Sequence, residues 1–233
     1  MKLMFFNDFR LGVVKGDRVV DVTGVVSAVP HARPQELMTG VIAAFADVRL
    51  PKIISDHMVL QADKTATIWG WADPQEKVEV TLGKKSASTT AGADGKWSLK
   101  IEVPAVGTAL EMSVAGKNTL TVKDVLIGEV WLCSGQSNME WSVAQSADKD
   151  AEIAAANFPL IRHFKVTRQT SDTPQSDLNG TWAVCSPETA ANFSAVGYYF
   201  GRELHKQLGN RPIGLIGSNW GGTPAEAWAS RKA

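Results

Sequence analysis

Two apolar runs limit what the C-terminal half of this chain can become. Val125-Leu-Ile-Gly-Glu-Val-Trp-Leu-Cys133 and Ile213-Gly-Leu-Ile216 lack the polar alternation of a strand with one wet face. Runs of this kind belong to parallel strands covered on both sides. Between them the sequence predicts a helix near Asp148–Ala156, a strand over Leu160–Val166 and a long helix over Phe193–Leu208. Gly209 stops that helix, with Pro212 just beyond it. Strand–helix–strand order implies a parallel sheet whose functional edge lies at the carboxyl ends of the strands. Both runs reach that edge in small polar residues, Ser134-Gly-Gln-Ser-Asn-Met139 and Gly217-Ser-Asn-Trp-Gly-Gly222.

The middle of the chain follows a different pattern. Lys77–Leu82 alternates, with Val78, Val80 and Leu82 on one face, and Trp97, Leu99, Ile101 and Val103 repeat the alternation. Asp94-Gly95 and Gly116-Lys-Asn118 supply turns. Short alternating strands at this spacing predict a small β-sandwich over about 48–124. Trp69 and Trp71, two apart, share one face of a strand; core packing is the expected role, a sugar-stacking surface the other. The first 47 residues read as three short strands (from Leu3, Leu11 and Arg18) and a helix from Glu36 to Phe45. The fold class expected is therefore α/β plus all-β: a short β-rich segment over 1–47, a sandwich over 48–124 and an α/β unit over 125–233.

Composition narrows the function. Lys plus Arg and Asp plus Glu each number 24 in 233 residues, so the formal net charge is zero. A nucleic-acid protein should show a basic excess or stripe, and no apolar run approaches the roughly 18 residues needed to cross a bilayer. Cys133 and Cys185 can form at most one bridge; two buried thiols are the expected state. Met1–Arg10 lacks the order of a signal peptide, so the chain as written reads as cytoplasmic.

Ser137 is the candidate for chemistry. A serine just past a parallel strand, entering a helix, sits where a nucleophile elbow places its hydroxyl, although a helix-capping serine would sit there too. Gly221-Gly222 after the second run would let backbone N–H groups approach a ligand oxygen, as an oxyanion hole requires, or simply form a tight turn.

Gly128-Glu-Val-Trp-Leu-Cys-Ser-Gly-Gln-Ser-Asn-Met-Glu-Trp141 resembles the nucleophile block of the sialate O-acetylesterase family, carbohydrate esterases of the SGNH hydrolase class. The likeness extends through Trp182-Ala-Val-Cys-Ser-Pro-Glu188, Phe193–Leu204 and Trp220-Gly-Gly-Thr-Pro-Ala-Glu-Ala-Trp228, and back to Leu50-Pro-Lys-Ile-Ile-Ser-Asp-His-Met-Val-Leu-Gln61. It implies a partial SGNH-type three-layer α/β/α domain, with Ser137 attacking an acetyl ester and forming an acyl-enzyme. Oxyanion and substrate contacts would come from Gly221 or Gly222, Asn219 and Gln136. The implied substrate is a small acetyl ester or an O-acetylated sugar such as sialic acid. The chemistry needs no cofactor, and members of the family are often exported.

The family carries its general base on a late Asp-x-x-His block, and no such pattern occurs in these 233 residues. The chain therefore reads as truncated before that block. His163, on the strand beside the nucleophile strand, is the best-placed stand-in base. His57 is expected to be structural, His205 to face solvent near a helix end and His31 to lie in a loop. The alternative reading is an impaired fragment serving as a carbohydrate-binding or structural module. Lys2-Leu-Met-Phe-Phe-Asn-Asp-Phe-Arg-Leu-Gly12 and Asp17–Val22 resemble the start of the fumarylacetoacetate hydrolase family without its metal-binding carboxylates. No metal site follows from that piece, and the chain reads as a fusion; a hydrolase of that second kind is the weakest reading. A cut parallel sheet leaves an open edge and an uncovered apolar face, so self-association is expected.

Overall fold

The computed structural model describes residues 2–6, 10–15, 18–21 and 47–229. Three N-terminal strands, β1 (Lys2–Phe6), β2 (Arg10–Lys15) and β3 (Arg18–Asp21), form an antiparallel sheet in that order. The helix expected over 36–45 and His31 lie outside the described residues.

From residue 59 the chain builds β4 (Val59–Gln61), β5 (Thr65–Trp71), β6 (Lys77–Leu82), β7 (Lys85–Thr90), β8 (Lys96–Glu102), β9 (Leu110–Ala115) and β10 (Thr119–Gly135). β5 and β8 pair as a two-stranded sheet, and β7-β6-β9 leads antiparallel into β10. Alternation decides what is buried. Val78, Val80 and Leu82 of β6 and Met112 and Val114 of β9 meet Ile68 of β5 and Trp97, Leu99 and Ile101 of β8 in one apolar cluster. Trp69 and Trp71 do share a face, but it is the outer one, which corrects the expectation of core packing. Trp69 is 38% exposed, and Trp71 is half-buried beneath the Arg49 guanidinium, 5.4 Å from its ring. The inner face of β5 has no room for them. At Gly70 a Cβ would stand 2.1 Å from the Arg49 carbonyl oxygen and 2.9 Å from the Trp97 ring, so Trp97 fills that space instead.

β10 is one 17-residue strand, and the boundary expected at 124 falls inside it. Its first part pairs antiparallel with β9; from Glu129 to Gly135 it pairs parallel with β13 (Ile213–Asn219). The register shifts between Val122 and Val125, where Asp124 takes φ +56°. The Asp124 carboxylate is held there by Arg162 (Nη1 2.6 Å, Nη2 3.2 Å) and by His57 Nδ1 at 2.6 Å. Burial alone would raise the Asp124 pKa, but the hydrogen bonds from Arg162 and His57 outweigh it and hold the carboxyl below its ordinary value. His57 is thus a structural partner at the kink.

The remaining elements are α1 (Ser137–Glu140), α2 (Lys149–Ala154), β11 (Phe158–Lys165), β12 (Trp182–Cys185), α3 (Pro187–Ala190) and α4 (Ala195–Gln207). The sheet order here is β12-β11-β13-β10, with β11 and β13 parallel and β12 antiparallel to β11. Ser194 Oγ accepts the Gly197 N–H to cap α4, and Gly209 at φ +66° ends it. α4 packs Tyr198 and Gly201 onto β13; a Cβ at Gly201 would come within 2.8 Å of Leu215. Among the described residues the helices cover one face. The other face, with Phe164, Trp182 and Ile216, packs into the cluster that holds Ile54, Met58 and the inner residues of β5–β9. Among the described residues, that face meets the core of the preceding β-rich unit where the expected α/β/α order has its second helical layer.

Candidate active site

The carboxyl ends of three parallel strands meet at one edge. β10 ends at Gly135 beside Asn219 of β13, and the Trp220 N–H donates to the Gly135 carbonyl at 3.0 Å. β11 leads into the segment carrying Arg168. A cavity of about 410 Å³ opens there, lined by Ser137, Glu140, Trp141, Lys165, Arg168 and Gly221 among others.

Ser137 begins α1 and is exposed. Its Oγ donates to Gln136 Oε1 at 2.9 Å. Gln136 therefore orients the hydroxyl locally. Gly221 lies against the same serine: a Cβ on it would stand 3.5 Å from Ser137 Cα and 3.6 Å from Ser137 Oγ. Its N–H donates to Glu140 Oε2 at 2.6 Å, a charge-assisted bond worth about 1.5–3 kcal/mol. The Glu140 carboxylate also pairs with Arg168, whose guanidinium lies 5.7 Å from the Trp220 ring. Gly222 takes φ +77°, a conformation that favours glycine. Asn219 turns its amide back to the Cys133 carbonyl at 3.3 Å, so it braces the two strand ends rather than facing Ser137.

The structure does not bring His163 to the serine. Strand alternation puts it on the helical face with Ile161, where its ring stacks on Phe193 at 4.6 Å. It lines a separate cavity with Gly180 and Thr189. Burial pushes its pKa from 6.5 to about 4, and its Nε2 has no hydrogen-bond partner. A neutral imidazole enclosed in this way is not a base for Ser137. His205 is buried, not solvent-facing as expected, because its Nδ1–H donates to the Arg211 carbonyl at 2.7 Å beyond the helix end. Cys133 and Cys185 are free and buried, and burial pushes both thiols up to about 11. Sequence reasoning missed Glu140 and Arg168. Glu140 stands three residues after Ser137, so its place in the quoted motif was the available signal.

Residues 127–233 match the family model described as carbohydrate esterase, sialic acid-specific acetylesterase. Sialate O-acetylesterase of Rattus norvegicus is 35% identical over 206 residues, covering 79% of this chain and 38% of that protein. The Homo sapiens sialate O-acetylesterase is 36% identical over 207 residues, covering 79% and 39%. A crystal structure of a carbohydrate acetylesterase from Xanthomonas citri superposes with a TM-score of 0.77 at 40% identity, covering 79% of this chain and 43% of that one. Over 79% of its length the chain is thus similar to sialate O-acetylesterases, and residues 127–233 carry the match to the family model. The chain spans about two fifths of the length of the curated relatives it matches.

Proposed function

We propose that the chain acts as a serine esterase on acetyl esters, with O-acetylated sugars such as sialic acid as its substrate class. The observation that carries this reading is the exposed Ser137 at the end of β10, with Gly221 against it in one open cavity. Ser137 Oγ would attack the acetyl carbonyl, the sugar alkoxide would leave with a proton, and water would then release acetate from the acyl-serine. Backbone N–H groups at fixed positions suit the charge that develops on the carbonyl oxygen. The proton that the alkoxide takes is the one Ser137 Oγ gives up on attack, so it must pass through a base. Among the described residues no histidine lines the Ser137 cavity, and this favours a second reading, a carbohydrate-binding or structural module.

Hydrolysis of a short-chain chromogenic acetyl ester by the chain and by Ser137→Ala separates the two. The esterase reading expects turnover that falls to background in Ser137→Ala. Equal rates would remove Ser137 as nucleophile, and no rate in either protein would favour the module.

A further inference from the structure

Three charged side chains line the Ser137 cavity: Glu140, Lys165 and Arg168. Glu140 and Arg168 pair with each other, which leaves Lys165 as the cation without a counter-ion among the described residues. Its place follows from β11. Phe164 faces the β-rich core, so His163 and Lys165, on either side of it in the strand, lie on the helical face. His163 stacks on Phe193, and the Lys165 ammonium donates to the carbonyl of Asn192, the residue before Phe193, at 2.9 Å. One N–H of the ammonium is used in this way and two are left. Lys165 and Asn192 also line the cavity that holds His163, so the two cavities share a wall. The far side carries Glu188, whose charge offsets the lysine there, while on the Ser137 side the acid is already taken by Arg168. An anion is therefore favoured on the Ser137 side. That side also carries an aromatic face. Trp141 is 52% exposed, and its indole N–H donates to the Gln145 carbonyl at 2.9 Å, which holds the ring at the cavity. A flat apolar face in the same cavity as a spare cation fits a sugar that bears a carboxylate.

We propose that Lys165 is a specificity-determining residue of the Ser137 cavity, its ammonium taking the carboxylate of an acidic O-acetylated sugar whose ring lies against Trp141. The proposal rests on the reading of this cavity as the acetyl-ester site, and it narrows the substrate class from acetylated sugars at large to those that carry a negative charge. The carboxylate and the acetyl ester sit on different carbons of such a sugar, so Lys165 acts on binding and not on the reacting carbonyl. A neutral acetylated sugar gains nothing from it. Because the lysine is exposed, water screens the pair, and the preference for the acid over a neutral sugar is expected at about tenfold.

The test compares two ligands, an O-acetylated N-acetylneuraminic acid and the same sugar with its carboxylate converted to the neutral amide. Calorimetric titration uses the full chain carrying Ser137→Ala, so that the acetyl group stays in place. The acid should bind about tenfold more tightly than the amide, and less so as sodium chloride is raised. Adding Lys165→Met should bring the two ligands to equal affinity; adding Lys165→Arg, which keeps the charge, should retain the preference. Equal binding of acid and amide to the Ser137→Ala chain, binding of neither, or a preference that survives Lys165→Met overturns the proposal. A Lys165→Met chain that binds neither ligand marks a structural role for the lysine and overturns it also. In turnover by the chain with Ser137 intact, the acid-to-amide ratio of kcat/KM should fall about tenfold in Lys165→Met. If that chain hydrolyses no ester, the reading of Ser137 as nucleophile fails, and the titration still decides the role of Lys165.

Discussion

Replacing His163 with phenylalanine should make the protein more resistant to acid. The imidazole is 5% exposed and stacked on Phe193, and burial lowers its pKa from 6.5 to about 4. The unfolded chain takes up this proton near 6.5 and the folded chain near 4. Between those values the unfolded state binds more protons, so stability falls as pH drops through the window. A difference of this size is worth on the order of 3 kcal/mol by the bottom of the window. Lys165 and Glu188 line the same cavity, and neither forms a hydrogen bond with the ring. Urea unfolding followed by tryptophan fluorescence, at about pH 7 and about pH 4, gives the change for each protein. Other groups titrate equally in wild type and variant and cancel in the difference. Wild type should lose about 3 kcal/mol more than His163→Phe, with His163→Leu as a second variant of smaller volume. Parallel losses in all three proteins would refute the claim that the ring is buried and neutral.

Three further perturbations probe the frame around the site. Asp124→Asn keeps a side chain that tolerates positive φ but removes the charge facing Arg162 and His57; about 2 kcal/mol should be lost at neutral pH, and a loss under about 0.5 kcal/mol would show that the cluster does not hold the kink. Because the Asp124 pKa is lowered in the fold, its contribution is present above the usual aspartate range and fades as pH falls through the lowered value. Gly128→Ala would put a Cβ 2.0 Å from the Pro212 carbonyl oxygen, backbone that cannot swing aside; a loss of about 3 kcal/mol or more is expected in the same assay, and an unchanged midpoint would contradict the strand contact. β4 reaches only to Gly128 on β10, and Trp131, Leu132, Val196 and Phe200 are exposed beyond it. That edge should pair with a second copy, the same patch meeting itself about a twofold axis; sedimentation should show a dimer that Leu132→Lys weakens, and a clean monomer at micromolar concentration would count against it.

Legibility in the sequence followed how local each cause was. The apolar run of β10, the strand β13 and the glycine stop of α4 were readable because burial on both faces and a C-terminal glycine leave local marks. β12 and α3 were missed: four residues each carry too little periodicity, and β12 takes its place from pairing with β11. The boundary expected at 124 falls inside the unbroken β10 because the partners that hold the Asp124 bulge within one strand come from 38 and 67 residues away. Trp69 and Trp71 were rightly given a common face, but which face is inner is set by Arg49 and Trp97, contacts no local pattern encodes. At the site, the positions of Ser137 and Gly221 could be foreseen from strand ends and turn residues. The hold of Glu140 on Gly221 could not, since 81 residues separate them.

The most direct measurement is the mass of the chain quenched in acid during exposure to an activated acetyl ester, followed by peptide mapping. An acetyl group on the peptide containing Ser137, absent in Ser137→Ala, is the predicted result. Acetate release without any acetylated Ser137 peptide, or acetyl found only on other residues, would contradict it.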